Sequence, residues 1–157
     1  AYVYEKEVLN RTNQNSISIS ISQAIFAGDV QKIQSLLEEF MLRSISSMDG
    51  ANEGFYHGMM LGLCAVLGNR YQVRSNRESG LGRFDIQLAP LVKGIPGFLF
   101  EFKHTNDSHV DLSALADSAL RQIDEKKYDT ELRHAGVDSI IKIGIAFRGK
   151  HAVVKRK

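Results

Sequence analysis

Between residues 16 and 44 two periodicities overlap. Ile17, Ile19 and Ile21 alternate with serines as a strand would, yet Ile17, Ile21 and Ile25 also keep helical spacing. Gly28-Asp29 reads as a helix stop followed by the N-cap of a second helix. From Val30 to Leu42 the positions Ile33, Leu36, Leu37, Phe40 and Met41 follow a helical period, and together these signals favour a helical hairpin. A polar, turn-like stretch over 44–52 comes next. Glu53 then opens a run to Leu67 that is apolar nearly all round, the pattern of a buried helix. Gly58 and Gly62 lie four apart in it and would let another backbone approach closely.

Three strands are expected after Gly68-Asn69. Tyr71 to Arg77 alternates, Ser79-Gly80-Leu81-Gly82 turns, and Arg83 to Leu88 alternates again; a turn over Pro90 to Pro96 leads to a third strand, Phe98 to His104. Asp111 to Leu132 carries Leu112, Leu115, Ala116, Ala119, Leu120 and Ile123 at helical spacing. Ser139 to Phe147 is apolar on both faces, as a covered inner strand is, and Arg148-Gly149-Lys150 turns into a last short strand. An antiparallel meander, a crossover helix and further strands predict an α/β fold: a mixed sheet with helices on its faces.

Composition narrows this little. At 157 residues, with 43% hydrophobic and 24% charged, the chain suits one soluble domain: a helical extension over 1–48 and a core over 50–157. Twenty basic against eighteen acidic residues name no partner. Cys64 alone excludes a disulfide scaffold and suggests a cytoplasmic protein. No apolar run approaches the roughly 20 residues that cross a bilayer, so no membrane partner is expected. A chain that begins at Ala1 reads as one cut from a longer protein.

The charged residues inside the strands change the picture. In Phe98-Leu99-Phe100-Glu101-Phe102-Lys103 the three phenylalanines share one face, while Leu99, Glu101 and Lys103 share the other. Asp85, between Phe84 and Ile86, lies on the strand that a meander pairs with this one, and cross-strand neighbours come within about 5 Å. Two carboxylates so close repel unless they share a proton or a cation neutralises them. Lys103 supplies one positive charge; a divalent metal would supply the rest, and hard oxygen ligands select Mg²⁺ or Mn²⁺.

Asp85, followed sixteen residues on by Glu101-Phe102-Lys103, resembles the signature of the PD-(D/E)XK nuclease superfamily, although Phe84 stands where the eponymous proline would be. Further blocks resemble the nuclease-like domain that follows predicted AAA-type ATPase domains in many bacterial proteins. They are Glu53-Gly-Phe-Tyr-His-Gly, Ser75-Asn-Arg-Glu-Ser-Gly-Leu-Gly-Arg-Phe-Asp-Ile, Phe100-Glu-Phe-Lys, Ala119-Leu-Arg-Gln-Ile through Lys127-Tyr128, and Gly144-Ile-Ala-Phe-Arg-Gly-Lys. The resemblance implies a restriction-endonuclease-like core and a Mg²⁺- or Mn²⁺-dependent nuclease acting on nucleic acid, DNA in preference to RNA. It also implies site residues: Asp85 and Glu101 as metal ligands, with the main-chain carbonyl of Phe102 and the Glu53 carboxylate beside them. Lys103 would orient or deprotonate the attacking water or stabilise developing charge, and Gln122 would stand near the metal from the crossover helix.

Arg70, Arg74, Arg77 and Arg83 fall within fourteen residues around the first hairpin. Beside a metal site, the reading of Arg74, Arg77 and Arg83 as phosphate contacts outweighs that of a solvated hairpin. Lys126, one turn after Gln122, joins them as a nucleic-acid contact. His57, one turn after Glu53, reads as a buried histidine bonded to a neighbour rather than a zinc ligand. The competing function is a catalytically inactive nucleic-acid-binding or interaction module serving an attached ATPase. A small-phosphate hydrolase is disfavoured by the lack of a glycine-rich phosphate loop. Analogy with dimeric junction resolvases suggests a homodimer.

Overall fold

In a computed structural model the described residues are 16–44, 52–75 and 85–157. The Ile/Ser alternation resolves as helix: within α1, over 16–27, Ile17, Ile21, Ala24 and Ile25 are buried while Ile19 is half exposed. Gly28 takes a positive φ of 66°, and the Asp29 carboxylate accepts from the Lys32 N–H at 3.2 Å to cap α2, Val30–Ser44. This helical pair lies against the last strand. The Gln34 side chain accepts from the backbone N–H of Val154, and the Arg156 guanidinium donates to the Gly28 carbonyl, both at 3.0 Å.

Asn52 caps α3, Glu53–Cys64, by accepting from the Phe55 N–H at 3.1 Å, and a 3₁₀ turn over Ala65–Leu67 ends it. The helix is not buried all round. Tyr56, His57, Met60, Leu63 and Cys64 face the sheet, but Gly58 and Gly62 are exposed and a methyl group at either would meet open space. Among the described residues nothing makes a close approach to those glycines.

The strands are β1 Tyr71–Ser75, β2 Ile86–Pro90, β3 Gly97–His104, β4 Ile140–Arg148 and β5 His151–Arg156, in the spatial order β1-β2-β3-β4-β5. The first three form the expected antiparallel meander, β3 and β4 are parallel, and β5 returns antiparallel. The extensions of the first hairpin to Arg77 and from Arg83 lie outside the described residues. Phe98, Phe100 and Phe102 pack with Ile86, Leu88, Ile143, Ile145 and Phe147 against α1, α2 and α3, forming the main core. The opposite face carries Leu99 and is covered by α4, Leu112–Glu125, and α5, Thr130–His134.

The single helix expected over 111–132 is thus two. Lys127 adopts a left-handed φ of 52°, which stops α4 and turns Tyr128 and Leu132 down onto Leu99. The basic C-terminal residues are engaged within the fold: Lys155 pairs with Asp117 at 2.9 Å and Lys157 pairs with Asp124. Among the described residues no helix is long and apolar enough to cross a membrane.

Candidate metal and catalytic site

Asp85 stands at the entrance to β2, where its N–H donates to the Phe100 carbonyl at 3.1 Å. Its Oδ2 accepts from the N–H of Phe102 at 2.7 Å. A strand residue directs its N–H and C=O to the same edge, so the Phe102 carbonyl faces the Asp85 side too. Glu101, one residue earlier on β3, is 5% exposed and points to the face covered by α4. Its register partner on β4 is Gly144. A Cβ there would come 2.6 Å from the Ala116 carbonyl and 3.1 Å from Ala119 and Leu120, so α4 rests directly on β4 because that position has no side chain.

This close approach brings Gln122 over the strand. Its Nε2 donates to Glu101 Oε1 at 2.9 Å and to the Tyr128 hydroxyl at 3.2 Å, while its Oε1 accepts from the Lys103 ammonium. The Lys103 ammonium can only donate, so it fixes the carboxamide with its oxygen toward Lys103 and its N–H groups toward Glu101 and Tyr128. Glu101 and Lys103, two apart on one face, are therefore bridged by one side chain from the crossover helix.

Charge is unbalanced here. Burial raises the Glu101 carboxyl, and the negative charge of Asp85 raises it further; Lys103 opposes both, and the group ends pushed up to about 8. Asp85 is also raised, chiefly by burial, against the lowering effect of the Phe102 N–H and of His57. Glu53, exposed at the start of α3, adds negative charge felt by both. Glu101 Oε2, in contrast to Oε1, is buried without a hydrogen-bond partner among the described residues.

A divalent cation fits this arrangement. The donors are all oxygens, one of them a buried acceptor left unsatisfied, and the pair is short of positive charge. Among the described residues no three His, Cys, Asp or Glu side chains gather as a metal-holding cluster. His57, 3% exposed, bonds Ser75 Oγ through Nε2 at 2.6 Å, as its placement on an apolar helix suggested.

The basic residues are less convergent. Arg74 donates to Gln87 at 3.0 Å and to Glu131 and Gln72 at 2.9 Å, so its guanidinium is already engaged by its own chain. Arg70 lies over the Phe26 ring at 4.8 Å. Lys126 is exposed at the end of α4, and Arg77 and Arg83 lie outside the described residues. Sequence reasoning missed Tyr128 and Gly144. Neither was given a role, although the second was a lone glycine in a β-forming run and both stand in the blocks that carry the family resemblance.

No curated protein and no solved structure matches the chain. A family model of the PD-(D/E)XK nuclease superfamily matches residues 51–157. That stretch takes in α3, the whole sheet and the crossover helix that carries Gln122, and by it the chain belongs to the PD-(D/E)XK nuclease superfamily.

Proposed function

We propose that the chain hydrolyses phosphodiester bonds of nucleic acid, DNA in preference to RNA, with Mg²⁺ or Mn²⁺ held by Asp85 and Glu101. The observation that carries this reading is the buried Glu101 carboxyl next to the half-buried Asp85, with Lys103 tied alongside through Gln122. When bound, the cation would polarise the phosphoryl oxygen and make a water more acidic. Asp85, anchored through Oδ2 by the Phe102 N–H, would present its other oxygen. Glu101, anchored through Oε1 by Gln122, would present Oε2. The Phe102 carbonyl and Glu53 would complete the set, Glu53 directly or through water. Lys103 would orient or deprotonate the attacking water, or stabilise charge developing on the phosphate. Arg77, Arg83 and Lys126 would hold the backbone, as would Arg74 after releasing Glu131.

The test is incubation of the purified protein with plasmid, single-stranded and branched DNA and Mn²⁺. Cleavage is expected, and Glu101→Ala and Lys103→Ala should each reduce it at least a hundredfold, the scale of a lost proton-transfer or charge-stabilising group. Cleavage unchanged in both variants would place the activity elsewhere. The alternative reading is an inactive nucleic-acid-binding module attached to an AAA-type ATPase. Calorimetry separates the two: the nuclease takes up Mn²⁺ in an Asp85-dependent manner and the module does not. The same reading treats 1–157 as one domain of a longer cytoplasmic chain, able to pair as a homodimer.

A further inference from the structure

A second polar group shares the sheet face of Glu101 and Lys103. Arg74 is in register with Gln87, and Gln87 with Leu99, so these three side chains lie on the face that α4 and α5 cover. Asp85 stands two residues before Gln87 on the chain, about 6.6 Å along an extended strand, and Glu101 two residues after Leu99. Arg74 donates to the side-chain oxygens of Gln72 and Gln87 and to the Glu131 carboxylate. The two glutamines are neutral, so of these three partners only Glu131 answers the positive charge. Gln87 is fully buried, and because a guanidinium can only donate, Arg74 fixes its carboxamide oxygen-first. The other end of that carboxamide, Nε2, is buried with no hydrogen-bond partner among the described residues. A fixed, neutral cradle thus aims a cation whose anionic partner comes from an exposed residue of α5, the Glu131 side chain being 54% exposed.

We propose that Arg74, held on Gln72 and Gln87, is a subsite for a backbone phosphate adjoining the scissile one, and that the Glu131 carboxylate occupies it until nucleic acid arrives. This rests on the nuclease reading and adds to it a substrate contact and the group that competes for that contact. A guanidinium fork suits carboxylate and phosphate alike. A carboxylate and a backbone phosphodiester each bring one negative charge and two terminal oxygens, so the exchange leaves the charge of the subsite unchanged. An exposed ion pair contributes little, so Glu131 is cheaply released. The two amides stay behind and keep the guanidinium aimed, which spares the incoming phosphate the cost of ordering it. The unpartnered Nε2 of Gln87 marks the same cradle as one that Glu131 fills incompletely. Arg74 is accordingly the contact, Gln72 and Gln87 are positioning residues, and Glu131 is an internal competitor.

The test titrates the protein with fluorescent single-stranded and duplex oligonucleotides, with Ca²⁺ in place of Mn²⁺ to suppress turnover, and measures Mn²⁺ uptake separately by calorimetry. Glu131→Gln should tighten binding about threefold at low salt, the scale of one surface ion pair, and the gain should fade as salt screens it. Asp138→Asn removes an equal charge beside the start of β4, at the opposite end of β3 from Lys103, and should bind like the parent. Arg74→Met keeps the aliphatic stem without the fork; it should weaken binding about tenfold, the scale of a hydrogen bond to a charged group, and Glu131→Gln should gain nothing in that background. Parent-like binding by Glu131→Gln, or a gain matched by Asp138→Asn, overturns the subsite alone, and this pair of surface variants decides the matter even where Arg74→Met fails to fold. An equal gain with and without Arg74 overturns it too. A parent that takes up Mn²⁺ through Asp85 but binds no oligonucleotide overturns the nucleic-acid reading together with the subsite. A parent that binds oligonucleotide without Asp85-dependent uptake overturns the metal reading and leaves the subsite to be decided by the same variants.

Discussion

Glu101 is the residue whose environment makes the sharpest prediction. Its carboxyl ionises near 4.5 when the chain is unfolded and at about 8 when folded, so between those values the folded protein holds a proton that the unfolded chain has lost. Stability of the metal-free protein should therefore fall as pH rises from about 4.5 to 8, by an amount on the order of a few kcal/mol. Asp124 and Asp129 act in the opposite sense. Hydrogen bonds from Lys142 and Lys157 lower the first and Arg133 lowers the second, so their contribution is present above the ordinary carboxylate range and lost in acid. Melting temperature against pH in chelator should peak on the acid side of neutrality. Glu101→Gln, neutral at every pH, should flatten the alkaline limb, and Mn²⁺ should raise that limb in the parent while leaving the variant unmoved. An alkaline limb unchanged in Glu101→Gln would show that the raised carboxyl lies elsewhere. Gln122 explains why the acid stays in place: a carboxylate and an ammonium two residues apart are held by one carboxamide rather than left to each other.

At the level of elements, the site depends on how close a helix comes to a strand. Gly144 faces Glu101 across the β3–β4 ladder, and a methyl group there would press on the Ala116 carbonyl, a backbone atom that cannot swing aside. Gly144→Ala should push α4 outward, cost about 1–3 kcal/mol by overpacking and draw Gln122 away from Glu101. Melting and Mn²⁺-dependent cleavage should both drop; an unaltered melting point would mean that α4 can move without penalty. The glycine itself was visible in the sequence, but its partner 28 residues earlier was not, because no periodicity records which turn of a helix meets which strand. What was legible was local. The Phe98-to-Lys103 alternation assigned faces correctly, since side-chain direction in a strand follows from position alone. The end of α4 was illegible for the converse reason. Lys126 and Lys127 are good helix formers, and only the burial of Tyr128 and Leu132 against Leu99 stops the helix there. The serine–isoleucine alternation before Gly28 misleads in the same way, until Ala24 and Ile25 extend the helical stripe past what a strand would bury.

For the whole molecule, the matched family region and the physical core do not coincide. The match begins at residue 51, yet Ile21, Ile25, Ile33, Leu37 and Met41 are fully buried in the cluster that contains Phe98, Phe100 and Phe102. The hairpin also caps the edge of the sheet through Gln34 and ties Arg156 to Gly28. Burying one large aliphatic side chain contributes about 1.5–3 kcal/mol, so five of them together contribute on the order of 10 kcal/mol, comparable to the entire stability of a typical domain. The α1–α2 hairpin therefore acts as a structural layer of the fold rather than a detachable extension. It covers the face opposite α4, and without it the phenylalanines of β3 would meet water on the side away from Glu101 and Lys103. A chain trimmed to 51–157 should fail to give a cooperative melt or should aggregate through that face, while the full chain unfolds in one transition. Adding residues 16–44 as a separate peptide should restore some cooperativity. A trimmed chain that melts cooperatively and takes up Mn²⁺ like the parent would show that the sheet and α4 hold the acid pair unaided.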